Sequence, residues 1–467
     1  MRLTVAEIMA ATGATGDIAF GQGLMATSVT ADSRKAGPGS LFCCLPGSRA
    51  DGHEFALQAV KQGAVAVLAA RNLPEVADKA AVLVVPDVLR ALSSLARFWR
   101  GRAKARVVAL SGSAGKSTVK EFLASILAGV GPTMKNPGNY NNQLGLPLSV
   151  LAGDENDRFW VLELGISRQG DMEELAALCE PDLAVVHNIG PAHLEGLGDL
   201  AGVAKAKAAL FGFVRKGGAA IANRDYPLLW KAAQAVNPGV IPMSTISSNA
   251  PFHGHFLDSE HGGGRYHLSL EGTSVDVVLP CQGAHLTENI LAAAAVASIL
   301  GATPEQITTG LAKAATLPGR FTVLAAGGVT VIDDTYNANP LSMAASIEAA
   351  QKLAKGQPLL LALGEMGELG TQAQAAHEEL GRMAARSGCR TLFFKGEHAP
   401  QVEQGLKREG FTGKFYPVKT ADDFDTFLET TDISEGVALF KGSRSAHMEE
   451  LLEAYLARHR TGHGGAR

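Results

Sequence analysis

Short apolar runs alternate with amphipathic stretches along most of the chain. Runs of four or five residues, rich in Val and Leu, are typical of strands buried on both faces of a sheet. They occur at residues 64–68, 107–110, 160–164 and 183–186. Apolar positions recur at helical spacing over residues 171–179 and 199–211. This alternation implies right-handed crossovers and a mostly parallel sheet, so the predicted fold class is α/β.

The 467 residues suggest about three domains, because a typical domain has about 150 residues. The charged stretch 97–106 ends abruptly at the strand predicted for residues 107–110, which indicates a boundary near residue 102. A Leu-Pro-Gly-Arg segment at 317–320 indicates the second boundary.

Three α/β domains are therefore predicted. They are a small N-terminal domain (1–102), a central domain with a mostly parallel sheet (103–317) and a Rossmann-like C-terminal domain (318–467). Further strands are predicted in the third domain at 329–332, 359–363, 391–394 and 437–440. The tail 459–467, rich in Gly, His and Arg, is predicted to be disordered.

The composition excludes several classes of protein. With 42 Lys and Arg against 46 Asp and Glu, the chain lacks the basic character of a nucleic-acid binder, so a small-molecule substrate is expected. The five cysteines show no C-x-x-C spacing and imply neither a disulfide framework nor a zinc site. The N-terminus lacks a signal-peptide core, and the longest apolar run, 290–300, is too short to span a bilayer. We expect a cytoplasmic protein without membrane insertion.

A glycine loop follows the strand predicted at 107–110. Ser111-Gly112-Ser113-Ala114-Gly115-Lys116-Ser117-Thr118 leads into an amphipathic helix, which gives the order strand, loop and helix. Such a loop directs backbone N–H groups and a helix N-terminus at an anion. Lys116 would neutralise phosphate charge, and Ser117 would offer an oxygen to magnesium. The loop predicts a P-loop ATPase domain, with an ordinary βα turn as the structural alternative.

Glu163 and His193 fall at or after the carboxyl ends of the next two predicted strands, where ligands of open parallel sheets bind. Either side chain can ligate Mg²⁺, although a salt-bridged or capping role explains Glu163 equally well. His187 lies inside an apolar strand and is interpreted as a satisfied core residue. The polar loop 139–147 and the helical lysines Lys205 and Lys207 decide nothing by themselves.

Taken together, these elements resemble the Mur ligases, which join amino acids to a UDP-linked muramic acid. Nearly the whole chain takes part in the resemblance, and its motifs follow one another in order. They lie at residues 32–34, 51–53, 112–118, 139–147, 163–165, 188–196, 206–207, 319–320, 333–340 and 441–445.

The resemblance implies roles for the first two domains. Ser33 and Arg34 would receive the uridine diphosphate end of the substrate, and Asn142 would also bind substrate. Gly112, Ser113, Ala114, Gly115, Lys116, Ser117 and Thr118 would hold ATP, and Ser117, Glu163, His193 and Lys207 would hold magnesium. Lys207 matches a lysine that is carbamylated in related ligases, and Lys205 is the alternative if the register is shifted. The predicted catalytic residues are Lys116, Lys207, His193 and Arg320.

Further roles concern the adenine and the third domain. Asn289, with His285, resembles the segment near the adenine, although a helix cap explains it nearly as well. Arg320 and Asp334 would close over ATP, on a loop shaped by Tyr336, Asn337, Asn339 and Pro340. Ser443 and Arg444 would meet the incoming dipeptide or the acyl phosphate.

Two departures from the family pattern stand out. Ser111 replaces a common threonine and preserves a small hydroxyl. Glu365 stands where aspartate is expected, so the loop 364–369 is assigned no direct role. The chain also lacks the Asp-Asn-Pro-Arg segment associated with diaminopimelate addition, which favours the dipeptide-adding step.

The implied reaction is ATP-dependent amide formation between UDP-N-acetylmuramoyl-tripeptide and D-alanyl-D-alanine through an acyl phosphate, with ATP and Mg²⁺ as cofactors. A monomer whose third domain rotates inward on ATP binding is expected. The alternatives are another Mur step, using diaminopimelate or lysine, a ligase like folylpolyglutamate synthetase, and a catalytically silent nucleotide-sugar sensor. The third residue of the peptide, diaminopimelate or lysine, is left open.

Overall fold

A computed structural model describes residues 1–16, 23–47, 50–260, 263–279, 283–314, 319, 321–431 and 434–461. These residues form three principal sheets, of four, nine and six strands in chain order, and a two-stranded ribbon near the N-terminus. Helices flank the sheets. The predicted α/β class is therefore confirmed, with one principal sheet in each of three successive parts of the chain.

The first sheet is small and parallel, with the strand order β3-β4-β5-β6. Its second strand is buried throughout, as is most of the third, because helices cover the sheet. The elements of this domain are β1 (Leu3–Thr4), α1 (Val5–Thr12), β2 (Met25–Ala26), β3 (Ser28–Thr30), β4 (Ser40–Cys43), α2 (Ala56–Lys61), β5 (Ala64–Ala69), β6 (Ala81–Val84) and α3 (Val88–Arg102).

The central sheet has the strand order β15-β14-β13-β12-β11-β10-β7-β9-β8. Its strands are parallel from β8 to β13, and β13, β14 and β15 form an antiparallel edge. Its elements are β7 (Arg106–Ser111), α4 (Lys116–Ala128), β8 (Thr133–Lys135), α5 (Gly145–Ala152), β9 (Phe159–Glu163), α6 (Asp171–Cys179), β10 (Leu183–Val186), α7 (Leu194–Leu197), α8 (Leu200–Ala208), β11 (Ala219–Asn223), α9 (Pro227–Val236), β12 (Ile241–Ser244), β13 (Phe252–Glu260), β14 (Gly263–Leu270), β15 (Thr273–Leu279), α10 (Thr287–Ile299) and α11 (Pro304–Lys313).

Helix α10 explains the longest apolar run in the sequence. It packs against α4 and β13, and every residue from Ile290 to Ala297 is fully buried. A helix that is apolar on all sides is stable only inside a core. The run is therefore a core helix, and none of the helices within the described residues is long and apolar enough to cross a membrane.

The opposite face of the central sheet shares one core with the first domain. Trp99 of α3 is almost fully buried, and its indole N–H donates to the Gly153 carbonyl at 3.1 Å. The neighbouring Arg100 guanidinium donates to the Cys179 carbonyl at 2.7 Å. These buried contacts tie α3 to the central domain.

The C-terminal sheet has the strand order β16-β17-β21-β18-β19-β20, and its strands are parallel except for the pair β16 and β17. Its elements are β16 (Thr322–Ala326), β17 (Val329–Asp334), α12 (Pro340–Ala354), β18 (Leu359–Gly364), α13 (Ala373–Arg386), β19 (Thr391–Lys395), α14 (Ala399–Arg408), β20 (Lys414–Val418), α15 (Ala421–Leu428), β21 (Gly436–Lys441) and α16 (Glu449–Thr461).

The predicted strands are all present, most of them one or two residues longer than predicted. The helix predicted for 199–211 is α8 followed by a 3₁₀ turn, Ala209–Phe213. The prediction of a disordered tail from residue 459 is wrong at its start, because α16 continues to Thr461 and the His459 ring packs on Tyr455. Residues 462–467 lie outside the described residues.

Candidate active site

A cavity of about 680 Å³ lies between the central and C-terminal domains. Its walls come from loops that follow β7, β9, β10 and β12 on one side and β17, β18 and β21 on the other. These are carboxyl ends of strands, the position at which open α/β sheets bind ligands. The cavity is therefore the candidate active site.

The predicted phosphate loop forms part of the cavity wall, from Ser113 to Thr118. Asn188, which follows β10, accepts hydrogen bonds at Oδ1 from the backbone N–H groups of Ser113 and Ala114, at 2.9 and 3.0 Å. The Lys116 ammonium donates to the Gly112 carbonyl at 2.9 Å, across the base of the loop. Helix α4 begins at Lys116, so the N–H groups of its first turn are directed back into the loop.

Two glycines of this loop are required by close packing. A Cβ at Gly112 would lie 2.4 Å from the His187 ring, and a Cβ at Gly115 would lie 2.4 Å from Asn289 Oδ1. Gly115 also has φ +74°, which disfavours a side chain. The loop is thus packed between β10 and the start of α10.

His187 supports the loop from below. Its Nδ1 lies 3.0 Å from the Ser111 carbonyl and its Nε2 lies 2.6 Å from the Ala114 carbonyl. Burial lowers the pKa of His187 to about 4, although these hydrogen bonds oppose the shift. His187 is thus a buried residue of the core, as interpreted, and supports the loop from within it.

Glu163, the last residue of β9, is 2% exposed and lies beside the phosphate loop. The Ser117 hydroxyl donates to Glu163 Oε2 at 2.6 Å, and the Asn141 amide donates to Oε1 at 2.7 Å. The Lys120 ammonium lies 3.4 Å from the same carboxylate. Burial alone would raise the pKa of Glu163, but Lys120 and Lys116, with these hydrogen bonds, outweigh burial and lower it.

This carboxylate and hydroxyl fit a magnesium ion. Both Ser117 and Glu163 line the cavity, and oxygen is the donor type that Mg²⁺ prefers. The depressed pKa keeps Glu163 ionised at neutral pH, which a metal ligand requires.

Lys207 lies directly beneath the phosphate loop. It is 1% exposed, and its ammonium donates to the Gly112 carbonyl at 3.0 Å. Burial and the nearby Lys116 charge lower its pKa well below the ordinary value, while Glu163 opposes the shift. Lys205, the alternative residue, is exposed on the other side of α8.

His193 lies in the cavity wall at the start of α7, with φ +55°. Its Nδ1 pairs with the carboxylate of Glu368, which follows β18 in the C-terminal domain. The loop 364–369, to which no direct role was assigned, thus contributes Glu368 to the cavity wall.

A pocket of buried polar atoms lies beside the loop at the start of α10. Within the described part of the chain, nothing forms a hydrogen bond with Asn289 Oδ1, His285 Nε2 or Thr287 Oγ1. Unpartnered buried polar atoms carry a free-energy penalty that a polar ligand removes. Burial lowers the pKa of His285 to about 4, so its ring is neutral at pH 7 and can accept a hydrogen bond. Asn289 and His285, predicted to lie near the adenine, thus offer unpartnered polar atoms beside the phosphate loop.

The C-terminal wall is built around Asp334 at the end of β17. Its Oδ2 accepts from the Lys441 ammonium at 2.7 Å and from the Ser346 hydroxyl at 2.6 Å, and its Oδ1 accepts from the Phe321 N–H at 3.1 Å. Asp334 and Lys441 both line the cavity. Arg320, predicted beside them, lies outside the described residues.

Asn339 joins the two walls. Its amide donates across the cavity to the Ser113 carbonyl of the phosphate loop at 3.0 Å, and its Oδ1 caps α12 through the Ser342 N–H at 2.9 Å. One side chain thus fixes both the start of α12 and its distance from the loop.

The predicted substrate residues are distributed over two places. Arg444 and Asn142 line the cavity, and the buried Ser443 hydroxyl lies 3.0 Å from that of Ser445. Ser33 and Arg34 lie in a 3₁₀ turn of the first domain and do not line the cavity. Arg34 is 82% exposed in its side chain and pairs with Asp32.

Sequence reasoning missed Glu288, on the first turn of α10. It lines the cavity and accepts hydrogen bonds from Asn188 at 2.7 Å and the Tyr226 hydroxyl at 3.0 Å. Burial raises its pKa to about 7, although these hydrogen bonds oppose the shift. The available signal for Glu288 was its place as a polar residue between two buried positions of a helix.

Lys120 was missed because an isolated lysine on a helix is ordinarily solvated.

Three profiles of one family match successive parts of the chain. The profile of the Mur ligase family, catalytic domain, matches residues 26–100, and the Mur ligase middle domain matches residues 110–297. The Mur ligase, glutamate ligase domain, matches residues 319–455.

Curated relatives and solved structures agree with these matches. The chain is 37% identical to UDP-N-acetylmuramoyl-tripeptide--D-alanyl-D-alanine ligase of Escherichia coli (strain K12), over 91% of this chain and 93% of that protein. Identity to the protein of the same name from Bacillus subtilis (strain 168) is 32%, over 91% and 92%. A crystal structure of MurF from Acinetobacter baumannii matches with a TM-score of 0.89 and 29% identity, over 98% and 99% of the two chains. MurF ligase from Thermotoga maritima in complex with ADP matches with a TM-score of 0.80 and 29% identity, over 93% and 98%.

Proposed function

The chain belongs to the Mur ligase family, and we propose that it joins D-alanyl-D-alanine to UDP-N-acetylmuramoyl-tripeptide in an ATP-dependent step of peptidoglycan precursor synthesis. The relatives named for this reaction align with 91% of the chain, which supports the assignment of these substrates. The observation that carries the proposal is the cavity itself. It brings the phosphate loop and the Ser117–Glu163 pair opposite Glu368, Asp334 and Arg444.

Each domain has a proposed task. Residues 1–102 hold the uridine diphosphate end of the substrate, with Arg34 as a phosphate partner; its exposed guanidinium supports this role. Residues 103–317 bind ATP, and residues 318–467 bind the dipeptide. The cavity between the last two domains is where the three reactants would meet.

ATP is placed with its phosphates on residues 112–118 and its adenine beside Asn289. Lys116 neutralises phosphate charge, and the N-terminus of α4 adds its positive dipole end. The unpartnered Asn289 Oδ1 and His285 Nε2 supply acceptors to the base. Asp334 and Arg320 are proposed to contact the nucleotide from the C-terminal side.

Ser117, Glu163 and His193 are the proposed residues for magnesium. When bound there, Mg²⁺ neutralises charge on the phosphates. Lys207 is proposed to react as a neutral amine with carbon dioxide, which gives a carbamate and releases one proton. Its lowered pKa supports this step, because only the neutral amine is nucleophilic. The carbamate would add a negatively charged oxygen ligand beneath the loop.

The reaction begins when the terminal carboxylate of the tripeptide attacks the γ-phosphorus of ATP. A new P–O bond forms, the bond between this phosphorus and the β–γ bridging oxygen breaks, and ADP leaves. Positioning and charge neutralisation are the main needs of phosphoryl transfer, and Lys116 and Arg320 are the residues proposed to supply them.

The dipeptide amine then attacks the carbonyl carbon of the acyl phosphate. The C–N bond forms, the C–O bond to phosphate breaks, and the amine loses a proton as inorganic phosphate departs. Closure of the C-terminal domain excludes water, which would otherwise hydrolyse the acyl phosphate. The cross-domain bond from Asn339 to the phosphate loop supports such closure.

We further propose that the enzyme is a cytoplasmic monomer that needs neither nucleic acid nor a membrane. Light scattering on the purified protein tests the oligomeric state, and a mass of two chains would contradict it.

Formation of ADP tests the function. Continuous release of ADP, beyond one equivalent per enzyme, is expected only when UDP-N-acetylmuramoyl-tripeptide and D-alanyl-D-alanine are both present. Single amino acids, including D-alanine, lysine and diaminopimelate, offered with the UDP-linked dipeptide or tripeptide serve as controls. Release that depends on one of these amino acids would contradict the proposed acceptor, and Lys116→Ala with unchanged turnover would contradict catalysis by this site.

A further inference from the structure

We propose that Glu368 binds the ammonium group of the incoming dipeptide while Arg444 binds its carboxylate. The assignment rests on the proposed function and adds to it the group that recognises the nucleophile's nitrogen. A free dipeptide carries one positive and one negative end, so a specific site needs one charge of each sign at dipeptide spacing.

Glu368 and Arg444 lie on adjacent loops. Strands β18 and β21 are parallel neighbours, with Leu363 opposite Lys441, and the two loops leave the same edge of the sheet. The Ser443 N–H donates to the Glu365 carbonyl at 2.9 Å, which ties the loops together. The two charged side chains therefore enter the cavity from neighbouring positions.

Four of the five carboxylates that line the cavity within the described residues are already occupied. Glu121 pairs with Lys135, Glu163 with Lys120 and Asp334 with Lys441, and Glu288 is enclosed by hydrogen-bond donors. Glu368 is 63% exposed and pairs with the His193 ring at the cavity surface. It is thus the carboxylate most available to a new cation.

Arg444 is similarly available among the cationic side chains of the cavity. Lys116 belongs to the phosphate loop, and Lys441 is 2% exposed and bound to Asp334. Arg444 is 63% exposed, and its ion pair with Glu449 at 2.9 Å is partly solvated. A planar guanidinium also matches a carboxylate in two parallel hydrogen bonds.

The backbone of the Glu368 loop is held in an unusual conformation. Glu368 has φ +62°, which is uncommon for a residue with a side chain. The loop is anchored upstream, where the Met366 N–H donates to His377 Nε2 at 3.0 Å and Glu365 pairs with His398. The loop is therefore fixed before the dipeptide arrives, and its carboxylate points into the cavity.

Glu368→Gln tests the assignment because it removes the charge and keeps the size of the side chain. We expect KM for D-alanyl-D-alanine to rise roughly tenfold or more, from the loss of a charge-assisted hydrogen bond. Glu195→Gln, an exposed carboxylate on the facing helix α7, is the matched control and should leave KM unchanged.

A partial reaction separates dipeptide binding from other roles. Exchange of labelled ADP into ATP, measured with UDP-tripeptide and without dipeptide, reports acyl phosphate formation alone. It should stay within about twofold of wild type in Glu368→Gln, since the ammonium site is not used in that step. A parallel loss of exchange would show that Glu368 acts on nucleotide, metal or domain closure, and would overturn the assignment.

Binding of the dipeptide carboxylate by Arg444 is tested separately. Wild type should prefer D-alanyl-D-alanine over its C-terminal amide, and Arg444→Met should lose this preference while Glu368→Gln keeps it. An unchanged KM in Glu368→Gln, with normal wild-type turnover, would contradict the ammonium site alone. Wild-type enzyme that exchanges ADP but ignores the dipeptide would instead contradict the proposed function.

Discussion

The hydroxyl of Ser117 lies 2.6 Å from the carboxylate of Glu163, although one residue lies in the first turn of α4 and the other ends β9. The phosphate loop and the neighbouring strand of the sheet thereby present one oxygen pair to the cavity. Lys120, one turn along α4, approaches the same carboxylate from within the core. The Glu163 carboxylate therefore contributes to both function and stability, and the two contributions can be separated by experiment.

Glu163→Gln should lower kcat by roughly 100-fold or more, because a neutral amide is a poor ligand for magnesium. It should also destabilise the fold by about 3 kcal/mol, since the buried Lys120 cation loses its carboxylate counterion. Turnover and thermal unfolding measure the two effects. The double variant Glu163→Gln/Lys120→Met should recover most of the stability and none of the activity. Recovery of both would contradict a metal-binding role.

Lys207→Ala should abolish turnover to below about 1% of wild type, while Lys205→Ala should stay within twofold. The two lysines lie on the same helix, but Lys207 is buried beneath the phosphate loop and Lys205 is exposed. Labelled carbon dioxide should give a carbamate signal in wild type that Lys207→Ala lacks. A fully active enzyme in rigorously carbon dioxide-free buffer would argue against the modification.

Glu288 predicts an unusual pH dependence of stability. Because its pKa in the folded state is raised to about 7, the folded protein binds more protons than the unfolded chain between about pH 4.5 and pH 7. Its contribution to stability is therefore present at low pH and is lost as the pH rises through this window. Relative to Glu288→Gln, wild type should lose about 2–3 kcal/mol between pH 5 and pH 8, as measured by denaturant unfolding. A constant difference across this range would contradict the proposed burial of Glu288.

Asn339→Ser should separate the helix cap from the cross-domain contact. Serine caps helices about as well as asparagine, so the free energy of unfolding should change by less than about 0.5 kcal/mol. The shorter side chain no longer reaches the Ser113 carbonyl, and affinity for a non-hydrolysable ATP analogue should fall by about fivefold. Calorimetry measures this affinity, and unaltered binding would show that the contact does not stabilise the nucleotide-bound form.

Much of the fold followed from the sequence because its strands are buried on both faces. Such strands read as continuous apolar runs, as in β10, where all four residues are buried. The antiparallel edge β13–β15 was not predicted. Its half-exposed strands alternate polar and apolar residues and interrupt the parallel series.

The site was predictable where one loop or one strand end determines it. The phosphate loop has a local pattern, and Glu163 follows from the rule that ligands bind at the carboxyl ends of parallel strands. The pairing of His193 with Glu368 depends on how two domains meet, and their separation in sequence leaves no local signal. Lys120 and Glu288 look like surface residues by type, and only the packing around them shows that they are enclosed.

The mass of the product tests the central claim most directly. After incubation of the enzyme with UDP-N-acetylmuramoyl-tripeptide, D-alanyl-D-alanine, ATP and Mg²⁺, the UDP-linked species should gain the mass of one dipeptide less one water, with one ADP formed per product. Omission of ATP or dipeptide should leave the starting mass unchanged. An unaltered UDP-linked species in the complete mixture, or the gain of a single amino acid in its place, would contradict the account.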